Sequence, residues 1–333
     1  MGSKPEQGVA IIDLGSNSFR MVVFDPADGD WVREAELSAA VRIGEGLAAT
    51  GRLSEVAMAR ALRTIDAFTE LRDAHGLDGH SVDAVATSAI RDAQNGGAFL
   101  EQVRLRTGLD VRVLSREQEA RYGYLAAVNS TTLTDGCVLD LGGGSLQLVR
   151  VAGRLARESG SWRLGAVRMT ERFLAGDGPA KRSQLKALQA HVSRKLERAR
   201  WLRATGSRLV GLGGTVRNLA VAAGTAPEGG GRAAGLPADE VQGYVIERGA
   251  LDDLIARLAA LAPAERSSVP GIKPARADIV LAGAVVIQAV MRTGGFGTLE
   301  VTGAGLREGI LFERQLVCRQ LDAAPPSPDV RAA

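Results

Sequence analysis

The sequence predicts an α/β protein built as two related halves with a cleft between them, and two observations carry that prediction. The run Val138-Leu139-Asp140-Leu141-Gly142-Gly143-Gly144-Ser145-Leu146-Gln147-Leu148-Val149 joins an apolar stretch to a glycine turn, with a carboxylate at the junction. Residues 11–23 repeat it without a gap: Asp13 falls on Asp140, Gly15 on Gly142 and Ser18 on Ser145. Such a repeat argues for two half-structures that each contribute one hairpin to a shared site. The chain's 333 residues point the same way, because a single hydrophobic core rarely keeps growing to that size.

Taken in order, residues 1–7 are polar and expected to fray. Residues 9–13 and 19–24 read as strands around a Gly15-Ser16-Asn17 turn, with Arg20 just beyond it, pointing toward the site or away. Ser54 is placed as the N-cap of a helix with apolar positions at Met58, Leu62, Ile65, Phe68 and Leu71, stopped by Gly76. A strand over 82–86 leads into Thr87-Ser88-Ala89-Ile90-Arg91, and Asn95-Gly96 breaks the chain. Residues 111–114 alternate as a strand. Ser115 and Gln118 then form a capping box for a helix that carries Glu119 in its first turn and runs toward Val128. The polar turn 129–136 marks the main boundary, giving an N-terminal domain of 1–127 and a C-terminal domain of 128–303. A last helix over 304–322 is expected to pack back onto the first domain.

Beyond the second hairpin, 164–168 leads into a short helix ending near Gly176. Residues 183–205 read as a longer helix with Leu185, Leu188, Val192, Leu196 and Ala199 on one face and Lys186, Arg194, Lys195, Arg198 and Arg203 around the rest. That pattern fits either a solvated face or a cationic wall for a polyanion. Residues 209–216 are a third glycine turn, from a strand into a helix whose start, Gly214 and Thr215, is suited to an anion. A Gly/Ala/Pro-rich loop over 225–237 is expected to be mobile. Helices around 251–261 and 279–291, a strand near 298–302 and a Pro-rich, disordered tail from Ala323 complete the chain.

Composition removes several classes of function. A formal net charge of +3 lacks the density of a nucleic-acid coat, and the two cysteines, Cys137 and Cys318, make neither a disulfide scaffold nor a zinc cluster; both read as buried small hydrophobes. His75, His80 and His191, the only histidines, do not share a metal-ligand spacing. No basic, then apolar, leader opens the chain and its longest apolar run is too short to span a bilayer, so a cytoplasmic location without membrane attachment is expected.

What remains is phosphate chemistry. Consecutive glycines let backbone N–H groups approach an anion, and aspartates at the hairpin tips suit a hard divalent cation such as Mg²⁺. Arg91 at a strand end fits a phosphate fork or a surface arginine beside Asp92. Glu119 fits a water-activating carboxylate or a complement to its helix dipole. The residues leave kinase and hydrolase open, since phosphoryl transfer needs mainly positioning and charge neutralisation.

The runs IDLGSNSFRMVV, VRIGEGL, ATSAIRDAQNG, VLSREQEARYGY, LDLGGGSLQLV, LGAVRMTERFL, GLGGTVRNLA, PGIKPARADIVLAGA and GLREGIL together resemble the exopolyphosphatase/guanosine pentaphosphate phosphohydrolase family of the actin-like ATPase superfamily. The resemblance covers nearly the whole chain. It implies two ribonuclease-H-like domains with the active site between them. It also implies hydrolysis of the terminal phosphoanhydride of inorganic polyphosphate or, alternatively, of guanosine pentaphosphate, with tetraphosphate a further candidate ligand. On the matching positions it implies Glu119 as general base, and Asp140 with Asp13 as ligands of Mg²⁺ or another divalent cation. The resemblance implies phosphate binding at Gly15, Ser16, Asn17, Ser18, Arg91, Gly142, Gly143, Gly144 and Ser145, and the reading of the residues adds Arg20, Gly214 and Thr215 as expected phosphate-binding positions. Nucleic acid is not an expected partner, and a homodimer stays open. One position departs from the family's DxGGGSTE pattern: Gln147 stands where a glutamate is usual, which predicts weaker metal binding and more reliance on Glu119. The chain resembles the short members of the family, which implies lower processivity or a preference for shorter polymers.

Overall fold

The computed structural model describes residues 8–27, 30–224 and 241–322. The expected frayed start, the loop 225–237 and the tail from 323 lie outside the described residues. Strands β1 (Val9–Leu14), β2 (Phe19–Ala27), β3 (Asp30–Ala39), β4 (Val82–Ala86) and β5 (Val111–Val113) form one mixed sheet in the order β3-β2-β1-β4-β5. Helices α1 (Leu47–Thr50), α2 (Glu55–Ala74), α3 (Ser88–Asp92), α4 (Gly96–Thr107) and α5 (Arg116–Ser130) accompany it. A second sheet contains β6 (Gly136–Leu141), β7 (Leu146–Ala152), β8 (Leu155–Trp162), β9 (Leu209–Leu212), β10 (Val245–Glu247) and β11 (Thr298–Val301), in the order β10-β11-β9-β6-β7-β8. With it come α6 (Ala166–Phe173), α7 (Arg182–Leu196), α8 (Gly214–Gly224), α9 (Arg248–Ala259) and α10 (Val280–Gly294), whereas the last helix, α11 (Leu306–Asp322), packs back onto the first sheet and α5.

The repeat therefore extends beyond its hairpins. β8-β7-β6-β9-β11 has the order of β3-β2-β1-β4-β5, with antiparallel pairing around the hairpins and parallel pairing at β1–β4 and β6–β9. β10 is an antiparallel addition at the far edge. The α/β class predicted from the sequence is what the chain adopts.

Strand β1 reads as a continuous apolar run because both faces of its sheet are covered. Ala10, Ile12 and Leu14 join the cluster that holds Ile65 and Phe68 of α2 and Phe99 of α4. Val9 and Ile11 meet Tyr122 and Leu125 of α5 and Ile310 and Leu311 of α11. α5 turns its other side, Ala120, Ala127 and Val128, onto Val138, Val149 and Val210 of the second sheet. One helix thus serves both halves, and the boundary expected after residue 127 falls inside it. α11 comes so close to α5 that a Cβ on Gly309 would lie 2.0 Å from the Tyr122 carbonyl oxygen. No residue other than glycine fits that crossing without moving backbone.

Local signals explain where helices begin. Ser54 accepts the Ala57 N–H at the start of α2, and Ser115 with Gln118 makes both bonds of the capping box of α5. The helix expected over 183–205 is shorter than predicted. It ends at Leu196, and a 3₁₀ turn over Arg200–Ala204 follows, because Ala199 leaves helical geometry (φ −88°, ψ 60°) and lets Leu202 reach the core. Cys137 is fully buried, as expected of a small hydrophobe; the Cys318 side chain lies outside the described residues. Among the described residues no helix is long and apolar enough to cross a membrane.

Candidate active site

The two hairpins bring their carboxylates into one pocket. Within β1–β2, Asp13 sits directly across from Arg20; within β6–β7, Asp140 sits directly across from Gln147. Arg20 and Gln147 are thus equivalent positions of the repeat, and all four residues line the pocket. Arg20 faces the site.

The turns of the two hairpins meet. Ser16 Oγ and Ser88 Oγ share a hydrogen bond of 3.0 Å, and a Cβ on Gly144 would lie 2.4 Å from Ser88 Oγ. The glycine triplet permits that approach, and α6 anchors it: Ala166 and Val167 donate their N–H groups to Gly142 O and Gly143 O at 3.0 and 2.9 Å. Gly15, Ser16, Asn17, Ser18, Gly142, Gly143, Ser145 and Gly214 all line the pocket. Gly144 instead lines a smaller cavity behind the loops, and Thr215 is buried below Gly214.

Glu119 reaches the pocket from the first turn of α5. Its Oε2 accepts hydrogen bonds from Gln147 Nε2 at 3.0 Å and Ser145 Oγ at 3.3 Å. Its Oε1 pairs with Arg91, whose Nη1 also donates to Leu114 O at 2.7 Å. Arg91 does not line the pocket; it holds Glu119.

Three single-copy arginines converge on the same space. Arg217 from α8, Arg276 from the 3₁₀ turn Pro274–Arg276 and Arg307 from α11 line the pocket with Arg20. Among the described residues none of the four makes an ion pair with a carboxylate. Sequence reasoning passed over the three, although Arg217 and Arg307 each follow a glycine turn within two or three residues, a signal that could have marked them.

The pocket holds buried charges of both signs. Burial pushes the Asp140 carboxyl up to about 8, helped by the neighbouring Glu119 and Asp13 charges. Burial also raises Asp13, against the pull of Arg307 and Arg20, and raises Glu119, against the pull of Arg91. Burial also lowers Arg20 to about 9, with Arg307, Arg217 and Arg276 adding repulsion, and lowers Arg276 to about 10, with Arg217 adding to it. Buried carboxylates in the pocket call for a cation, and the arginines that line it beside them call for an anion.

The donor set fits a hard divalent cation. Asp13 Oδ1 is buried without a hydrogen-bond partner, and Asp140 and Asp13 offer oxygen only. Among the described residues no three His, Cys, Asp or Glu form a ready-made cage.

A second basic surface lies close by. Arg116, Arg163, Arg168, Arg172, Arg194, Lys195 and Arg198 surround an open trough with Glu197 as its lone carboxylate. Its wall includes Ser161, which receives a hydrogen bond from Gln147 Nε2 at 3.4 Å. Of the cations noted on the predicted 183–205 helix, Arg194, Lys195 and Arg198 face this trough.

Comparison with known proteins places these features among relatives. The model of the Ppx/GppA phosphatase family matches residues 22–317. An uncharacterised protein of Streptomyces coelicolor is 32% identical, over 96% of this chain and 96% of its own. Exopolyphosphatase 1 of Mycobacterium tuberculosis is 29% identical, over 92% of this chain and 88% of its own. The crystal structure of the Aquifex aeolicus Ppx/GppA family member superposes with a TM-score of 0.75 at 31% identity, covering 93% of this chain and 98% of that one.

Proposed function

The chain belongs to the Ppx/GppA phosphatase family, and from that premise we propose that it is an exopolyphosphatase releasing terminal orthophosphate from inorganic polyphosphate. The observation that carries the reading is one pocket lined both by the carboxylates Asp13, Asp140 and Glu119 and by the arginines Arg20, Arg217, Arg276 and Arg307, which make no ion pair among the described residues. A terminal phosphoanhydride needs both: oxygen ligands for a divalent cation, and fixed positive charge for the chain.

The glycine loops and the serines at 16, 18 and 145 bind the terminal phosphoryl group through N–H and hydroxyl donors. Glu119 Oε2 takes a proton from the attacking water, while Arg91 on Oε1 and Gln147 and Ser145 on Oε2 hold the carboxylate in place. The water oxygen bonds to the terminal phosphorus, the bridging P–O bond breaks, and the shortened chain leaves as an oxyanion stabilised by the arginines. Asp140 and Asp13 would hold a divalent cation, which when bound would neutralise charge on the phosphate oxygens. The basic trough supports a long polyanion as substrate: Arg116, Arg163 and Arg168 share Asp92 as a partner, and Arg172, Arg194, Lys195 and Arg198 remain to hold phosphates remote from the reacting end. Guanosine pentaphosphate is the second reading, supported by the chamber beyond Arg20, Arg217 and Arg276, where Lys273 adds charge for a further phosphate group while Arg33 is paired with Glu36 and Glu308.

Orthophosphate release from long-chain polyphosphate and from guanosine pentaphosphate, each with Mg²⁺, ranks the two readings. Faster release from polyphosphate is expected. Glu119→Gln should lower turnover by at least about 10³-fold while polyphosphate still binds, as removal of an essential base does. Full activity in that variant defeats the mechanism, and binding without cleavage by the unaltered protein would mark a polyphosphate sensor.

A further inference from the structure

Arg42 is one of two non-glycine residues with positive φ among the described residues, at 52°. Its N–H donates to Asn17 O at 2.8 Å, and Gly44 N–H donates to Ser16 O at 3.0 Å. The turn after β3 is thereby fastened to the first phosphate loop. From that turn the Arg42 side chain reaches the other half of the molecule. Nη1 donates to Asp278 Oδ2 at 2.6 Å and Nη2 to Asp278 Oδ1 at 2.9 Å, while Nη2 also approaches Ala275 O at 3.4 Å. Ala275 and Asp278 flank Arg276, and the Arg276 guanidinium lies over the third glycine loop, where a Cβ on Gly214 would be 2.2 Å from Nη2.

We propose that Arg42 and Asp278 form a clasp that sets the position of Arg276 in the pocket, tying the first phosphate loop to the turn of the opposite half that carries this arginine. Arg42 is a positioning residue; Arg276 is the group that meets substrate oxygens, a role that rests on the proposed function. A two-point guanidinium–carboxylate bond fixes orientation as well as distance, which a lysine ammonium cannot do. The two side chains are 32% and 34% exposed, so the pair adds little to overall stability. Its loss should appear in the placement of Arg276 and hardly at all in the melting temperature. A second bond holds the same turn, from Gly46 N–H to Glu171 Oε1 at 2.8 Å, but it reaches α6 and not the Arg276 turn.

The test is amide hydrogen exchange on the full chain without metal or substrate, in Arg42→Gly, Asp278→Asn, their double variant and Glu171→Ala. Glycine suits the backbone at 42, so Arg42→Gly removes the side-chain bonds to Asp278 and Ala275 without straining the turn. Exchange over 274–283 is expected to rise about tenfold in both single variants and no further in the double, the mark of one shared interaction. The melting temperature should stay within about 2 °C, as for a part-exposed pair. Glu171→Ala should leave 274–283 unchanged. In parallel, KM for tripolyphosphate should rise about tenfold in Arg42→Gly with kcat little altered, and Arg42→Gly should add nothing in an Arg276→Ala background. Unchanged exchange at 274–283, equal loosening in Glu171→Ala, additive effects with Arg276→Ala, or exchange that rises throughout the chain with a falling melting temperature would each overturn the clasp. If the unaltered protein releases no orthophosphate, the functional reading falls, and the exchange data still decide the clasp.

Discussion

At the scale of single residues, Gln147 has the most unusual position, because its amide does for Glu119 what a carboxylate could not. Nε2 donates to Glu119 Oε2 at 3.0 Å and to Ser145 Oγ at 2.9 Å, giving the base a neutral donor partner. A glutamate there would withdraw that donor and set a like charge beside Glu119, while adding an anionic oxygen to the pocket that holds Asp13 and Asp140. Gln147→Glu is therefore expected to tighten Mg²⁺ binding by about tenfold and to move the alkaline rise of activity upward by about one pH unit. A Mg²⁺ titration of activity and a pH–rate profile measure the two, and an unchanged Mg²⁺ requirement rejects the account. Residues in the repeat are legible because a second copy distinguishes a functional turn from an ordinary one, while Glu119 and Gly214, outside it, show as a first-turn carboxylate and a third glycine turn. Arg217, Arg276 and Arg307 occur once each, far apart in the chain, and only folding brings them together. Arg91 stands out in the sequence as a candidate, but only the fold shows its guanidinium occupied by Glu119.

Among elements, those whose local chemistry is self-sufficient were legible. The Ser54 and Ser115 caps, strand β4 and the hairpins follow from nearest neighbours. The outer strands β3 and β8 did not show in the sequence because they are edge-lying and polar, with charges such as Arg33, Glu34, Arg157 and Glu158 that hide the apolar alternation. The double duty of α5 was hidden for a related reason. It buries residues on two sides, so it has no single apolar stripe to read. Its contact with α11 makes a test at this scale. Gly309→Ala places a methyl carbon against the Tyr122 carbonyl, a backbone atom that cannot swing aside. The expected cost is about 1–3 kcal/mol of stability, the usual penalty of overpacking. Activity should also fall, because α11 carries Arg307 into the pocket. Denaturant unfolding and orthophosphate release measure the two effects; full stability in the variant would show that the helices are not in register as described.

For the molecule as a whole, the fold buries charges of both signs in one pocket, and its stability should depend on what that pocket binds. Asp140 is raised from 3.8 to about 8, so the folded state favours its protonated form. The stabilisation that this gives is complete below 3.8 and is lost as pH rises through about 8. At about 1.4 kcal/mol for each pH unit between those two values, the loss reaches several kcal/mol. Free of metal, the protein is therefore expected to lose stability steadily between about pH 5 and pH 8. A divalent cation that binds ionised Asp140 reverses the loss, so added Mg²⁺ should raise the melting temperature strongly at pH 8 and little at about pH 5. Asp140→Asn should flatten the pH dependence and remove most of the Mg²⁺ effect. The arginines act in the opposite sense: Arg20, lowered to about 9, gains from an anion throughout that range. Tripolyphosphate and Mg²⁺ together should stabilise more than the sum of each alone, since each ion relieves the repulsion among charges of one sign and attracts the other ion. Thermal melts in EDTA, in Mg²⁺, in tripolyphosphate and in both decide the matter, and a melting temperature indifferent to pH and to all three would mean that the pocket is not the charged cleft described.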